Sequence, residues 1–182
     1  MEGDTLSRTI SRIGYEIAER NRGVDNLCLI GILGKGPPLA GRIAERLEHM
    51  EGIRPPVGQV DTTPYRDDRA GGPAEDRSDI PFSLDGRRVV LVDDVMQTGR
   101  TVRAAIEALM ARGRPAQVQL FVLVDRGHRE LPIKADYVGK NLPTSRGERV
   151  LVRLREQGGD DTVVIVENTM EHTMEHTGGE PR

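Results

Sequence analysis

The fold of this chain is decided by one run that joins a strand to a helix: Val89, Val90, Leu91, Val92, Asp93, Asp94, Val95, Met96, Gln97, Thr98, Gly99, Arg100 and Thr101. The apolar residues at its start predict a buried strand over residues 88–92. Apolar residues at helical spacing after the run predict a helix that ends before Gly113 and Pro115. The run is therefore one strand–helix unit of a parallel sheet, with both aspartates predicted in the connection.

The polar loop of this run predicts a binding site for a phosphorylated sugar. A loop at a helix N-terminus offers unpaired N–H groups and the positive end of the helix dipole, and Gly99 lets the backbone wrap around an anion. Thr98 and Thr101 add hydroxyl donors. Asp93 and Asp94 would repel a bare phosphate, so they need another partner. The ribose 2′ and 3′ hydroxyls supply one, alone or with a magnesium ion.

Other interpretations of the run explain less. If Asp93 and Asp94 only cap a helix before an ordinary turn, one acid is used and the other is not. A nucleotide P-loop is excluded because no Gly-x-x-x-x-Gly-Lys-Ser/Thr occurs, and Gly36 is followed by Pro37. A dinucleotide Gly-x-Gly-x-x-Gly is absent as well.

The rest of the chain alternates in the same way, which predicts one α/β domain with a parallel sheet. Two helices precede the run, with apolar faces formed by Leu6, Ile10, Ile13 and Ile17 and by Leu39, Ile43, Leu47 and Met50. Strands are predicted over residues 27–32, 57–61 and 118–124, the last in the centre of the sheet. Residues 150–154 and 162–166 predict a hairpin at an edge of the sheet.

Three segments have no such pattern. Residues 62–83 form a long polar stretch, which is typical of a functional lid or of disorder. Residues 125–149 are predicted to be irregular. Residues 169–182 repeat Thr-Met-Glu-His and predict a disordered tail, in which His172 and His176 lack a third metal ligand.

Composition excludes several classes of protein. A length of 182 residues suits one domain, and a net charge of −3 argues against a surface that is basic throughout, so any RNA site must be a local patch. No apolar stretch reaches the roughly 20 residues of a membrane helix and no signal peptide is present, so a cytoplasmic protein is expected. The single cysteine, Cys28, lies in an apolar run and is expected to be buried and inert.

Residues 89–101 resemble the phosphoribosyl-pyrophosphate signature of type I phosphoribosyltransferases. Further segments resemble the bacterial pyrimidine operon attenuation regulators, which are also uracil phosphoribosyltransferases: Arg12-Ile13 with Glu19-Arg20-Asn21, Tyr65-Arg66-Asp67-Asp68, and residues 124–141. The resemblance runs from about Leu6 to Asn168. It implies a Rossmann-like parallel sheet of the type I phosphoribosyltransferase fold, with a small hood and an edge hairpin. The phosphoribosyltransferase domain with its hood is expected over residues 1–168, as a homodimer or higher homo-oligomer.

The resemblance also implies roles for residues. Residues 89–101 would bind phosphoribosyl pyrophosphate (PRPP) or UMP, with Asp93 and Asp94 holding the ribose and Mg²⁺ and Asp94 a candidate acceptor of the uracil N1 proton. The pyrophosphate loop would be Gly34, Lys35 and Gly36, where relatives usually have Thr-Arg-Gly, and Lys35 would neutralise the departing oxygens. The catalytic candidates are thus Asp93, Asp94 and Lys35. The lid would be Tyr65, Arg66, Asp67 and Asp68, and uracil would lie under the hood near residues 126–133 and 136–138.

For the regulatory activity, the resemblance implies UMP-dependent binding of pyrimidine operon leader mRNA. It places five basic residues on an RNA-facing surface away from the phosphate loop: Arg12, Arg20, Arg129, Lys134 and Lys140. The plainer interpretation is that these are solvated surface charges.

Three functional hypotheses follow. The first is a bifunctional RNA regulator and uracil phosphoribosyltransferase. The second is a purine salvage transferase without RNA binding, and the third is an RNA-binding attenuator that has lost turnover.

Overall fold

A five-stranded parallel sheet forms the body of the protein in the computed structural model, which describes residues 1–67 and 75–167. Its strands follow the order β2-β1-β3-β4-β5. The helices are α1 (Gly3–Asn21), α2 (Gly36–Glu51) and α3 (Arg100–Met110), and the strands are β1 (Leu27–Ile32), β2 (Val57–Val60), β3 (Arg88–Met96), β4 (Gln117–Asp125), β5 (Tyr137–Asn141), β6 (Glu148–Arg153) and β7 (Thr162–Glu167). The predicted α/β class and parallel sheet are confirmed.

The core lies on both faces of this sheet. Every residue of β1 is buried, as expected for a parallel strand covered by helices on either side. Helices α1 and α2 pack on one face with the apolar residues that the sequence predicted, and α3 packs on the other. Cys28 is buried as expected, and its burial raises the pKa of the thiol to about 11.

Strand β3 is longer than predicted. It continues through Asp93 and Asp94 to Met96, and Asp93 pairs in register with Val122 of β4. The expectation that the aspartates lie in the connection after the strand is therefore wrong. Two acidic residues break the apolar pattern, but pairing with the long neighbouring strand β4 keeps the backbone extended.

Strand β5 was missed, because residues 125–149 were predicted to be irregular. It pairs with β4 alone and ends in Gly139, Lys140 and Asn141, which are poor strand formers. A Cβ on Gly139 would lie 2.4 Å from the carbonyl oxygen of Leu123, so only glycine fits against β4 there. The requirement of close packing selects glycine at this position, against local propensity.

The predicted hairpin exists but forms a sheet of its own. Strands β6 and β7 pair antiparallel and make no ladder with the parallel sheet. The side chain of Arg42 in α2 joins this unit to the body through ion pairs with Glu156 at 2.6 Å and Asp161 at 2.7 Å. The hairpin is thus anchored by side chains over the carboxyl ends of the strands.

Two predictions fall on residues outside the described ranges: Asp68 of the lid and the tail over residues 169–182. Within the described part of the chain, none of the helices has the length and apolar character needed to cross a membrane.

Candidate active site

A cleft of about 470 Å³ opens at the carboxyl ends of the central strands. It is lined by Arg66, Asp93, residues 95–102, Arg126, Glu130, Arg149 and Val150. The structure therefore brings together the second half of the predicted PRPP segment and the beginning of the lid. Val89, Val90, Leu91 and Val92 lie instead in the core with no exposed surface, because they form the strand that carries the site.

Asp93 is the buried acid of this cleft, with 7% of its surface exposed. Its Oδ1 accepts a hydrogen bond of 2.9 Å from the backbone N–H of Asp94. Burial, and then the neighbouring charge of Asp94, raise the pKa of Asp93 well above its ordinary value. The ionised form of such a carboxylate is stabilised by a ligand that donates hydrogen bonds to it or brings positive charge close to it.

The phosphate loop bends at Gly99, whose φ of 92° lies in the left-handed region that glycine adopts without strain. Gly99 caps α3, and the first residues of that helix, 100–102, line the cleft. The carbonyl oxygen of Thr98 accepts hydrogen bonds from the backbone N–H groups of Glu130 at 3.1 Å and Leu131 at 3.2 Å. The predicted 5′-phosphate site is therefore held in shape by the segment that follows β4.

The pyrophosphate loop lies beside the second aspartate. The Nζ atom of Lys35 is 3.6 Å from Oδ2 of Asp94. A Cβ on Gly36 would come within 2.5 Å of the Val92 carbonyl oxygen, so glycine is required for α2 to begin this close to β3. Gly34 has a φ of 126°, and its carbonyl oxygen accepts a 3.0 Å hydrogen bond from the Gln157 side chain.

The described part of the lid is fastened to the first turns of α3. Arg66 donates a hydrogen bond of 2.8 Å to Oγ1 of Thr101, and Asp67 accepts one of 3.1 Å from Arg100. Arg103 donates to the Tyr65 carbonyl oxygen at 2.7 Å. The described part of the predicted lid therefore lies next to the predicted phosphate loop.

The predicted RNA-binding residues divide into two groups. Arg12 donates to the carbonyl oxygens of Val138 and Gly139 in β5, and Arg20 pairs with Asp136 at 2.7 Å. Lys140 is exposed on the same edge strand, so α1 and β5 bring Arg12, Arg20 and Lys140 to one edge of the sheet. Lys134 is exposed on the segment between β4 and β5.

Arg129 contacts the residue before the predicted phosphate loop, and the expectation that it lies away from this loop is wrong. Its guanidinium donates to the carbonyl oxygens of Gln97 at 2.8 Å and Ile133 at 3.0 Å, and it also pairs with Asp125. Chain folding after β4 brings this segment back over the carboxyl end of β3. The Arg129 side chain therefore connects the residue before the phosphate loop to the segment between β4 and β5.

Three lining residues were not among the predicted site residues: Val102, Arg149 and Val150. Arg126 and Glu130 also line the cleft, and both belong to the segment 126–133 that was predicted to lie near uracil. No sequence signal marks Arg149 or Val150, since both belong to a hairpin strand whose place over the cleft depends on tertiary packing.

The acidic pair fits a magnesium ion held mainly by its substrate. Two carboxylates, one of them buried and with a raised pKa, are hard oxygen ligands of the kind that Mg²⁺ uses together with substrate phosphates and water. Among residues 1–67 and 75–167, no group of three or more His, Cys, Asp or Glu side chains could hold a metal by itself.

Comparisons with known proteins agree with this geometry. The phosphoribosyl transferase domain model matches residues 4–157. A solved hypoxanthine phosphoribosyltransferase of Trypanosoma cruzi superposes with a TM-score of 0.71 at 19% identity, covering 92% of this chain and 94% of that one, which supports the fold.

Two curated relatives are much more similar in sequence. The bifunctional protein PyrR of Roseiflexus sp. (strain RS-1) is 57% identical over 93% of this chain and 94% of its own length. The pyrimidine operon regulatory protein of Lactococcus lactis subsp. lactis (strain IL1403) is 55% identical over 88% of this chain and 92% of its own. The chain therefore belongs to the PyrR family of bifunctional pyrimidine operon regulatory proteins, within the phosphoribosyltransferases of the type I fold.

Proposed function

We propose that this protein transfers the phosphoribosyl group of PRPP to uracil, giving UMP and pyrophosphate, and that it binds pyrimidine operon leader mRNA in a UMP-dependent way. The observation that carries the proposal is Asp93, a buried carboxylate with a raised pKa that borders the glycine-containing anion loop in one cleft. This arrangement suits a ligand with sugar hydroxyls next to a phosphate.

The residues that line the cleft share the work of the reaction with Asp94 and Lys35, which are not among the lining residues. The N–H groups at the start of α3, with Thr98 and Thr101, hold the 5′-phosphate, while Asp93 and Asp94 hold the ribose hydroxyls. The bond from C1′ to pyrophosphate breaks as the bond to uracil N1 forms, and Lys35 neutralises the departing oxygens. Magnesium, when bound with PRPP, supplies further positive charge to the pyrophosphate. Asp94 accepts the proton that uracil N1 loses.

The lid protects this chemistry from water. Positive charge develops at C1′ as pyrophosphate leaves, and a water molecule there would hydrolyse the sugar. In this proposal the lid of Tyr65, Arg66, Asp67 and Asp68 closes over the phosphate loop, and the contacts of Tyr65, Arg66 and Asp67 with α3 support that position.

The regulatory half of the proposal places RNA at the edge of the sheet formed by α1 and β5. Arg12, Arg20, Lys134 and Lys140 supply the positive charge on a protein that is slightly acidic overall. Arg129 makes RNA binding depend on UMP, because its guanidinium donates a hydrogen bond to the carbonyl oxygen of Gln97, just before the phosphate loop. In this proposal the protein acts in the cytoplasm as a homodimer or higher homo-oligomer.

The enzymatic half is tested by offering uracil, hypoxanthine and guanine separately with PRPP and magnesium, and measuring nucleotide formation. We expect UMP from uracil and at least about 100-fold lower rates with the purines. Faster turnover with hypoxanthine or guanine supports the purine salvage hypothesis instead. RNA binding without turnover of any of the three bases identifies an attenuator that has lost catalysis.

The RNA half is tested by titrating leader RNA with UMP present at several salt concentrations. Arg20→Ala and Lys140→Ala should each weaken binding and reduce the salt-dependence slope by about 0.7 for a single-stranded contact. Arg54→Ala is the matched control, because Arg54 precedes β2 at the opposite edge of the sheet and pairs with Glu48 at 3.0 Å. If both test variants bind RNA like the control, this surface is not the RNA site.

A further inference from the structure

The hairpin forms one wall of the active-site cleft, and the proposed reaction assigns no role to the residues of this wall. Arg149 and Val150 of β6 line the cleft opposite the carboxyl end of β3. Val150 of the hairpin and Val95 of β3 are both half-buried and pack on the same apolar cluster, so the cleft has an apolar surface where the hairpin meets β3. Arg149, the residue before Val150, adds a cation to the hairpin wall.

The position of this wall is fixed by Arg126, which is only 6% exposed. Its guanidinium donates to Oγ1 of Thr144 at 2.9 Å and to the carbonyl oxygens of Ser145 at 3.1 Å and Glu148 at 2.6 Å. These contacts tie the turn before β6 to the end of β4. Arg149 follows Glu148 directly, so its backbone is held at the cleft by a buried arginine.

The side chain of Arg149 differs from the other arginines of the cleft. Arg66 donates to Thr101, Arg100 pairs with Glu130 at 2.8 Å, and Arg126 holds the turn. Within the described ranges, no hydrogen bond or ion pair engages the Arg149 guanidinium. Arg149 lines the cleft and has no acceptor among the residues that the structure describes, so its guanidinium is available to a ligand.

The surroundings of Arg149 indicate which part of the ligand it meets. The 5′-phosphate has the N–H groups of the loop at residues 98–101, and the pyrophosphate loop with Lys35 is not among the residues that line the cleft beside Arg149. The remaining part of the nucleotide is the base. Uracil is a flat ring with two keto oxygens, which accept hydrogen bonds, and its faces suit an apolar wall.

We propose that Arg149 donates a hydrogen bond to a keto oxygen of the uracil ring, while Val95 and Val150 contact the ring itself. This inference rests on the proposed uracil transferase function and names the group that recognises the base. Arg126 is a positioning residue, since it acts on the base only through the turn that precedes Arg149.

The test compares two arginines of the same strand. Arg149 and Arg153 lie four residues apart on one face of β6, opposite Val166 and Thr162, but only Arg149 lines the cleft. Binding of UMP and of ribose 5-phosphate is measured for the wild type, Arg149→Gln, Arg149→Lys and Arg153→Gln. We expect Arg149→Gln to weaken UMP about tenfold and leave ribose 5-phosphate unchanged, since one charge-assisted hydrogen bond is lost.

The remaining outcomes are equally distinct. Arg149→Lys should recover part of the UMP affinity, and Arg153→Gln should match the wild type. In turnover, Arg149→Gln should raise KM for uracil about tenfold and leave KM for PRPP unchanged. Equal weakening of UMP and ribose 5-phosphate, or a rise in KM for PRPP alone, overturns the assignment to the base. If Arg149→Gln weakens UMP binding but the wild type forms no UMP from uracil and PRPP, the base contact is supported and the proposed reaction is overturned.

Discussion

Two buried aspartates lie at the carboxyl ends of strands in the same sheet, and their surroundings are opposite. Asp61 follows β2 and is 2% exposed, while Asp93 lies in β3 and is 7% exposed. Asp61 accepts hydrogen bonds of 2.9 Å from both Thr63 N–H and Arg77 Nε. Asp93 accepts one from the N–H of Asp94, its own neighbour and a second acid.

The pKa values of the two acids follow these partners. Burial alone would raise the pKa of Asp61, but the hydrogen bonds from Thr63 and Arg77 outweigh burial and lower it to about 2. Burial also raises the pKa of Asp93, and the charge of Asp94 raises it further. Asp61 is thus a structural acid whose hydrogen bonds the protein itself supplies, whereas Asp93 is the acid to which the proposed function assigns the ligand.

The largest effect is expected when the acids assigned to the ligand are removed. Changing Asp93 and Asp94 together to Asn should lower uracil transferase activity by about 100-fold or more, because the ribose and magnesium contacts need carboxylates. Folding should be preserved, since the native state no longer holds two repelling charges. Steady-state turnover and urea unfolding measure the two effects, with Asp61→Asn as the control. Near-normal turnover of the double variant would contradict the site assignment.

The next effect is expected on stability, when the structural acid Asp61 is removed. Asp61→Asn should lower the free energy of unfolding by about 1–3 kcal/mol, because buried hydrogen bonds from Thr63 and Arg77 lose their charged acceptor. Urea unfolding at pH 7 measures this change. Activity per folded molecule should fall much less than in the Asp93 and Asp94 variant. If Asp61→Asn is as stable as the wild type, the contacts of Arg77 contribute nothing to folding.

The two acids should also act on stability in opposite directions with pH. An acid whose pKa is raised by folding destabilises the native state as pH rises above its unfolded value, near 4 for Asp. Asp93→Asn should therefore remove part of the loss of stability that sets in as pH rises above about 4. Asp61 stabilises above its unfolded pKa, and this stability is lost as pH falls from about 4 to about 2. The free energy of unfolding is measured for both variants across these pH ranges. The comparison would be contradicted if both variants changed stability in the same pH range.

The smallest effect concerns Lys35, the cation 3.6 Å from Asp94. Lys35→Arg should lower KM for PRPP about threefold, because a planar guanidinium binds pyrophosphate oxygens in pairs. Adding Gly34→Thr should cancel that gain, since a φ of 126° strains any residue with a Cβ. Sequence comparison alone would favour both changes. A further fall in KM in the double variant would show that the loop relaxes around threonine.

Local pattern was enough for most of the fold. The helical faces of α1 and α2, the buried strand β1 and the hairpin all follow from residue spacing, and the family follows from residues 89–101 with the segments around them. The boundary of β3 and the whole of β5 did not follow. Both depend on pairing with β4, which is a separate segment of the chain and cannot be read from the residues of β3 or β5 themselves.

The sequence by itself therefore determined the α/β class, the proposed PRPP loop with its two aspartates, and membership of a family of bifunctional regulators. Only the tertiary structure decided that Asp61 accepts a hydrogen bond from Arg77, that Arg129 contacts the residue before the phosphate loop, and that Arg149 lines the cleft. The physical reason is the range of the contacts. Spacing along the chain fixes helices, strands and turns, whereas the partner of a buried charge is set by which distant segments pack against it.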